Sequence, residues 1–314
     1  MTRRVGYLCV AGASALWGFN GVFSRIAMDG GVEPLELGAG RAFAAALLLL
    51  PFLLPHVRRL DRRGLWQIGL FGLFGIVLSQ GLYFESISRI DVALALVIVY
   101  TAPIPVAAYQ RLRFGEVLPL RAYLGMLVAV VGVGMAVLGG GGGIGAIDGV
   151  GLAFAFATMA AYAMQVVLAA RQPESLPPLA RTGAGMLAAS VIWMAIAPVW
   201  TLQYDVLGVL EPLAGRVDID VPVWFAVAWV IILGTVVPYL IFIVGASAIG
   251  PGAASVVGMA EPIVASFVAW ILLGQTLLPV EFAGIVIAVG AITFVEVTRL
   301  RARRSADEIL PAEV

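Results

Sequence analysis

The chain has 314 residues, with 19 arginines, no lysine and 19 acidic residues, so it is formally neutral; 61% of it is hydrophobic and its mean hydropathy is +1.03. Soluble domains carry about 25% charged residues, against 12% here, which excludes a soluble globular protein and leaves a polytopic membrane protein. A single histidine and a single cysteine also provide no metal-ligand set, no disulfide within the chain and no nucleophile paired with a base at depth.

A helix crossing the hydrocarbon needs about 20 mainly apolar residues. Ten segments qualify: 5–27, 35–54, 65–87, 92–110, 121–138, 149–170, 179–201, 223–248, 251–273 and 280–298. Their apolar runs are continuous rather than alternating, which favours helices over a barrel. The first run follows Arg3 and Arg4 and has Ala13-Ser14-Ala15 as a cleavage-like string, yet it continues well beyond signal-peptide length and is read as a retained first helix. Cys9 lies inside it as a small apolar filler. Trp66, Trp193, Trp200 and Trp224 fall close to span ends and read as an interfacial belt.

The chain repeats itself. Gly38-Ala39-Gly40 recurs as Gly183-Ala184-Gly185, and at the same offset of 145 Trp17 falls on Tyr162 and Asn20 on Gln165. At an offset of 159, Ser88, Ile90, Ala95, Pro103, Gly115 and Gly125 fall on Ser247, Ile249, Ala254, Pro262, Gly274 and Gly284. The register changes once, by 14 residues, in a loop near Asp205 to Asp220. Residues 1–138 and 149–298 are thus two copies of five spans, joined by a Gly-rich linker over 139–148 and followed by a cytoplasmic tail at 299–314. Gly140, Gly142 and Gly145 satisfy GxGxxG, but no strand precedes them, so the stretch reads as flexible linker and not as a phosphate cradle.

With residue 1 on the cytoplasmic side, 15 of the 19 arginines fall in inward-facing segments, among them Arg58, Arg59, Arg62 and Arg63. His56 joins that patch as a solvated or headgroup-facing residue. The equivalent loop of the second copy carries Asp205, Glu211, Asp218 and Asp220 with a single Arg216. Equivalent loops have exchanged their charge, as five spans per copy require of an inverted pair. The predicted fold is therefore an all-α integral membrane protein, ten transmembrane helices as two inverted five-helix repeats, with both termini cytoplasmic. Duplication of this kind is common in secondary transporters, which place the substrate where the repeats meet.

Several polar groups lie at depth. Glu261 is about 15 Å into its span at 1.5 Å per residue, near the middle of a layer about 30 Å thick. A carboxylate there either binds a substrate ammonium, exchanges a proton, or anchors a helix break before Pro262. Arg41 either snorkels or pairs structurally, or it recognises a substrate carboxylate. Glu85 is a candidate partner of Arg41, a gate residue, or a second proton-coupling candidate beside Glu261. Ser14, Trp17, Gly21 and Ser24 form a stripe along the first span, and Thr158, Tyr162 and Gln165 form its equivalent, so the two are expected to face each other. Gln80, Tyr83, Tyr100, Thr101 and Tyr239 add rings and polar handles suited to an organic solute with a cationic amine, or else serve ordinary packing. Together with Asn20, these side chains form the candidate substrate-binding set. Pro103, Pro105, Pro238 and Pro262 are expected helix breaks, tolerated where backbone lines a cavity.

Trp17-Gly18-Phe19-Asn20, Arg41-Ala42-Phe43, Tyr100-Thr101-Ala102-Pro103 leading to Gly115-Glu116, and Glu261-Pro262-Ile263 leading to Gly274-Gln275 together resemble the EamA branch of the drug/metabolite transporter superfamily. Gln275 departs from the family's usual Gly-Glu. The resemblance implies a bacterial inner-membrane secondary carrier, most simply an exporter of amino acids or related metabolites, with a cavity lined by spans one, three, four, six, eight and nine. It implies no cofactor and no enzymatic activity. The expected partners are a small-molecule substrate and the lipid bilayer, with no nucleic acid, in a monomer or homodimer. A proton is the expected coupling ion. A lipid or lipid-precursor flippase and a multidrug efflux carrier are the alternatives within the same superfamily.

Overall fold

The structure, a computed structural model, describes residues 2–87, 89–90, 92–115, 118–138, 148–171, 173, 175–201, 204–214, 218–272 and 278–309. The first copy contains α1 (Arg3–Asp29), α2 (Pro34–Leu53), α3 (Arg62–Gly72), α4 (Ser79–Ile87), α5 (Val92–Val99), α6 (Pro103–Phe114) and α7 (Leu120–Leu138). The second contains α8 (Gly149–Ala169), α9 (Pro178–Ile196), α10 (Val223–Ile231), α11 (Val237–Ile249), α12 (Pro251–Gly258), α13 (Ala260–Leu272) and α14 (Pro279–Ile309). Seven helical stretches among the described residues are long and apolar enough to cross a membrane, the longest being Arg3–Asp29 and Val223–Ile249. The chain is thus a multi-pass helical membrane protein.

Three of the ten expected spans differ from that length criterion. Leu120–Met135 is a shorter apolar helix, and the fourth and ninth spans are each interrupted, as α5/α6 and α12/α13. The all-α expectation also needs one correction. The loop holding the register change forms a two-stranded antiparallel hairpin, β1 (Leu210–Ala214) with β2 (Asp218–Pro222). Its second strand alternates Asp218, Ile219, Asp220 and Val221, a period-two pattern that no membrane helix would carry. The Gly-rich linker apart from Asp148 lies outside the described residues, as do Arg216, Glu116, Gly274 and Gln275. Asp148 caps α8 by accepting from the amides of Val150 and Gly151, which satisfies two of the orphan donors at that helix start.

The duplication is visible as geometry. Five to six residues of π-helix separate α3 from α4 at Leu73–Leu78 and recur between α10 and α11 at Ile232–Val236, which is the 159-residue offset. The interruption at Tyr100 to Ala102 recurs at Met259 by the same offset. Equivalent helices run in opposite directions: Gly183, early in α9, packs on Leu49, late in α2, while Gly125 of α7 meets Val295 and Gly132 meets Ala288 of α14. Contacts are exchanged in the same manner, with α1 lying against α10, α11 and α13, and α8 against α3, α4, α5 and α6.

The main apolar core gathers Val10, Ala13, Phe71, Met186, Trp193, Phe242 and Ile243. Trp193, expected at the interface, is only 2% exposed and belongs to this core, because its helix packs against α2 and the π segment, which cover the ring. Trp66, Trp200 and Trp224 are exposed.

Close approach of α7 and α14 depends on Gly132, where an added Cβ would stand 2.8 Å from the Gly284 carbonyl oxygen and against the backbone of Ala288. Gly132→Val is expected to lower stability by about 1–3 kcal/mol through overpacking, read as a fall in thermal midpoint of the detergent-solubilised protein. A midpoint equal to the parent's would show that the two helices separate without cost.

Candidate functional site

A cavity of about 450 Å³ lies among α1, α2, α4, α5, α8, α11 and α13. Its wall includes Trp17, Asn20, Ser24, Arg41, Gln80, Tyr83, Tyr100, Tyr162, Gln165, Tyr239 and Glu261. Thr101 is not in it; its hydroxyl donates to the Ile98 carbonyl at 2.6 Å and so satisfies backbone at the α5/α6 interruption. Ser14 is fully buried below the cavity and donates to Val10. The α1 and α8 stripes otherwise meet across the space, through Trp17, Gly21 and Ser24 on one side and Thr158, Tyr162 and Gln165 on the other.

Two placements differ from expectation. Glu85 is outside the wall, exposed, and 3.9 Å from Arg89 one helical turn on, so its ion-pair partner is that arginine and not Arg41. The second span contributes to the cavity as well, through Leu37, Gly38 and Arg41. Ser79, Val99 and Ala265 also line it without having been singled out in the sequence. Ser79 lies one turn before Tyr83 and Ala265 one turn after Glu261, a helical phase that points to both; no such signal points to Val99.

Helix breaks put Glu261 where it is. α12 ends at Gly258, Met259 turns out of helical register, and α13 restarts with Glu261 in its first turn and Pro262 behind it. A carboxylate is favoured at a helix start by the amides exposed there. Pro262 lacks the N–H that a continuous helix would need. Pro103 begins α6 in the same way and Pro238 sits in the first turn of α11, whereas Pro105 lies within the first turn of α6 and breaks nothing further. Gly18 lets the α1 backbone come onto this turn, since a Cβ there would stand 2.9 Å from the Glu261 carbonyl oxygen.

The carboxylate has aromatic company. Tyr100 is hydrogen-bonded to Glu261, and the hydroxyls of Tyr83, Tyr162 and Tyr239 are within electrostatic reach of it. Tyr100 and Tyr162 pack edge to face with centroids 6.3 Å apart. Trp17 packs edge to face on Tyr239 at 5.2 Å, and Tyr239 donates to the Gly75 carbonyl inside the π segment at 3.1 Å. Ser79 donates to the same carbonyl at 3.0 Å.

Two polar atoms facing this region are buried without a hydrogen-bond partner, the Asn20 Oδ1 and the Tyr162 hydroxyl. Asn20 fits because Gly234 of the second π segment offers no side chain against it, and the Tyr162 hydroxyl lies over Gly258. Arg41 is 8% exposed, and no acidic side chain among the described residues lies within ion-pair distance of it. The cavity wall therefore carries the Glu261 carboxylate, the Arg41 guanidinium and, farther along α1, the Arg25 guanidinium, which is paired with Asp29, while the Asn20 Oδ1 and the Tyr162 hydroxyl are packed against Gly234 and Gly258 behind it. Among the described residues no group of three His, Cys, Asp or Glu side chains is placed to hold a metal ion.

The model of the EamA-like transporter family matches residues 4–138 and again 149–297, one match per copy. The chain belongs to the EamA-like transporter family. This family lies within the drug/metabolite transporter superfamily and is one of membrane transporters of small solutes, not of enzymes. A solved crystal structure superimposes with a TM-score of 0.72 at 18% identity, covering 96% of this chain and 99% of its own, which shows the shared fold alone. No curated protein matches the chain.

Tyr239 is the ring that joins the cavity wall of this EamA-like transporter to its π segment. Tyr239→Phe keeps the Trp17 contact and removes the bond to Gly75, and is expected to cost about 0.5–1.5 kcal/mol, measured as a lower midpoint of unfolding. An unchanged midpoint would mean that Ser79 alone satisfies the carbonyl.

Proposed function

We propose that this EamA-like transporter is an exporter of amino acids or closely related zwitterionic metabolites, working by alternating access in a bacterial inner membrane. The observation that carries this reading is the presence of Arg41 and Glu261 on the wall of a single cavity with no ion-pair contact between them, the other cation of the wall, Arg25, being paired with Asp29. A guanidinium offers a planar fork for a carboxylate, and Glu261 with its tyrosines offers acceptors and π faces for an ammonium. Asn20, Tyr162, Gln80 and Gln165 supply the remaining hydrogen bonds, with Ser24 nearer the mouth and Trp17, Tyr83, Tyr100 and Tyr239 as walls.

The same reading counts ten crossings, taking α3/α4, α5/α6, α10/α11 and α12/α13 as one broken helix each. Arginine clusters at Arg58 to Arg63 and at Arg299 to Arg304 support an orientation with the α1 N-terminal end and the α14 C-terminal end on the cytoplasmic side. The interruptions at Pro103 and Pro262 and the two π segments are the joints of the cycle. Glu261 doubles as the proton-exchanging group, giving up its proton when the substrate amine arrives. One chain holds the whole cavity, so a monomer suffices for transport.

The cargo is identified by comparing metabolites that accumulate inside a deletion strain with those lost from an overexpressing strain. For the amino acid so found, Arg41→Ala and Glu261→Gln are each expected to weaken binding about 10- to 150-fold, the loss of a charge-assisted bond of about 1.5–3 kcal/mol. Glu261→Gln is also expected to abolish the pH dependence of concentrative transport in proteoliposomes. Retention of pH-dependent concentrative transport by that variant removes the proton assignment. Undiminished transport of a lipid substrate by both variants replaces the solute reading with a flippase.

A further inference from the structure

Away from the cavity, four polar side chains from three helices meet in a buried cluster at the α1 N-terminal end of the bundle. The Tyr7 hydroxyl of α1 donates to the Glu296 carboxylate of α14 at 2.8 Å. One turn on, Arg299 donates to the Gln110 amide oxygen of α6 at 2.7 Å and stands 3.9 Å from Glu296. Glu296, Arg299 and Gln110 are 9%, 5% and 4% exposed. Gly252 of α12 is the floor of the cluster, since a side chain there would overlap both the Arg299 guanidinium and the Gln110 amide.

None of these residues lines the cavity. The cavity follows α1 from Trp17 to Met28 and stops there; between Trp17 and Tyr7 the helix is sealed, with Val10, Ala13 and Ser14 fully buried and Gly6 against Ile249. The cluster therefore lies across the closed end of the bundle while the other end is open. Glu296 and Arg299 share α14, so the ties between helices are the Tyr7 bond to Glu296 and the Arg299 bond to Gln110; breaking these without water leaves buried polar and charged groups unsatisfied. Opening this end to water rehydrates the same groups, so the cluster distinguishes two discrete states instead of resisting all movement.

The internal repeat makes the cluster informative. If both ends of an inverted pair were held alike, the mates of these residues would form a second cluster at the opposite end. The mates of Tyr7, Gln110, Glu296 and Arg299 are Leu152, Ala269, Val137 and Gly140, none of which carries a polar side chain. The ion pairs that do occur toward that end, Arg25 with Asp29 and Arg89 with Glu85 and Asp148, are exposed, and pairs of that kind contribute little.

We infer that Tyr7, Gln110, Glu296 and Arg299 form a one-sided latch that holds the cytoplasmic end shut and makes the outward-open state the resting state of this transporter. They are positioning residues: they touch no substrate and act by setting the ratio of the two states. Weakening the latch changes how often the cavity turns inward and leaves its binding wall intact. The inference uses the proposed membrane orientation only to name the two faces, and its test reads both.

The test is cysteine labelling in a Cys9→Ser background, with one reporter at Met28→Cys beside the cavity mouth and another at Val10→Cys in the sealed stretch. Membrane-impermeant maleimide is applied to right-side-out and to inverted vesicles. With the latch intact, Met28→Cys reacts from one face and Val10→Cys reacts slowly from either. Tyr7→Phe, Glu296→Gln and Arg299→Met are each expected to raise the Val10→Cys rate about tenfold from the other face and to lower the Met28→Cys rate. Arg299→Lys is expected to restore part of the difference. Transport by Tyr7→Phe is expected to show an altered maximal rate with the half-saturating concentration, measured from the cavity side, changed in proportion to the state ratio.

Tyr7→Phe removes one hydroxyl and keeps the ring, so it decides the matter if the charged-pair variants fail to fold. Unchanged labelling at both reporters in folded Tyr7→Phe and Glu296→Gln protein overturns the latch, as does a parallel rise at both reporters. Reporters that respond as expected but from exchanged faces keep the latch and overturn the orientation. Loss of amino-acid binding in cavity variants with normal labelling bears on the substrate reading alone.

Discussion

A charge placed halfway through a bilayer is tolerated only when polar groups or water surround it, and the architecture of this transporter follows from meeting that requirement for Glu261. A continuous helix would present the carboxylate to neighbouring apolar side chains. The interruption at Met259 starts a new helix there, with Glu261 in its first turn and Tyr100 hydrogen-bonded to the carboxylate. Gly18 and Gly258 then bring the α1 backbone and the Tyr162 hydroxyl close. Irregular backbone of this sort survives in a membrane only beside a cavity or inside protein, so the break and the cavity depend on each other. Carboxylate, tyrosines, broken helix and solvent-filled space are one solution to one electrostatic demand.

The duplication supplies the scaffold, and departures from it supply the chemistry. The two π segments, the two interruptions and the antiparallel pairs α2/α9 and α7/α14 obey the repeat. The charges do not. Glu261 falls on Ala102 of the first copy, which is fully buried, and Arg41 falls on Met186 of the second, part of the main core. At these two positions one copy contributes a charge to the cavity wall where the other contributes packing. A repeated frame thus carries a cavity wall that does not repeat its charges.

Much of this was legible in the residues. Periodic apolar runs, the arginine distribution and the two offsets point to the helical class, the repeat and its inversion, and the stripe at Ser14, Trp17, Gly21 and Ser24 points to the cavity in all but Ser14, because side chains three and four apart share a helix face. What was not legible depends on tertiary contact. Trp193 has the position of a belt residue, but packing by α2 draws it into the core. Glu85 had a charge suited to Arg41, and the nearer Arg89 takes it. The π segments carry no proline of their own in the first copy; Thr235 on the Val230 carbonyl is a local bond within one helix, whereas Tyr239 on Gly75 joins the two copies and forms only once the bundle is assembled. The hairpin was hidden by its length, since ten residues in two strands look like loop beside spans twice as long.

That hairpin belongs to one copy alone, and it settles beside the last turn of α1, where Glu211 and Val206 reach Gly30 and Gly31, a turn past Met28 on the cavity wall. Under the proposed function, a solute using this end would pass the acidic side chains of this loop, Asp205, Glu211 and Asp220, before meeting Arg25 on the cavity wall. Their negative potential reaches about 8 Å in physiological salt. Positively charged species gather there and anionic ones are thinned before either encounters Arg41 or Glu261. Under the proposed alternating access, an opening at the opposite end would be bordered by Arg58, Arg59, Arg62 and Arg63 and would have the reverse bias, so the two solutions would be sampled with different preferences through one chamber.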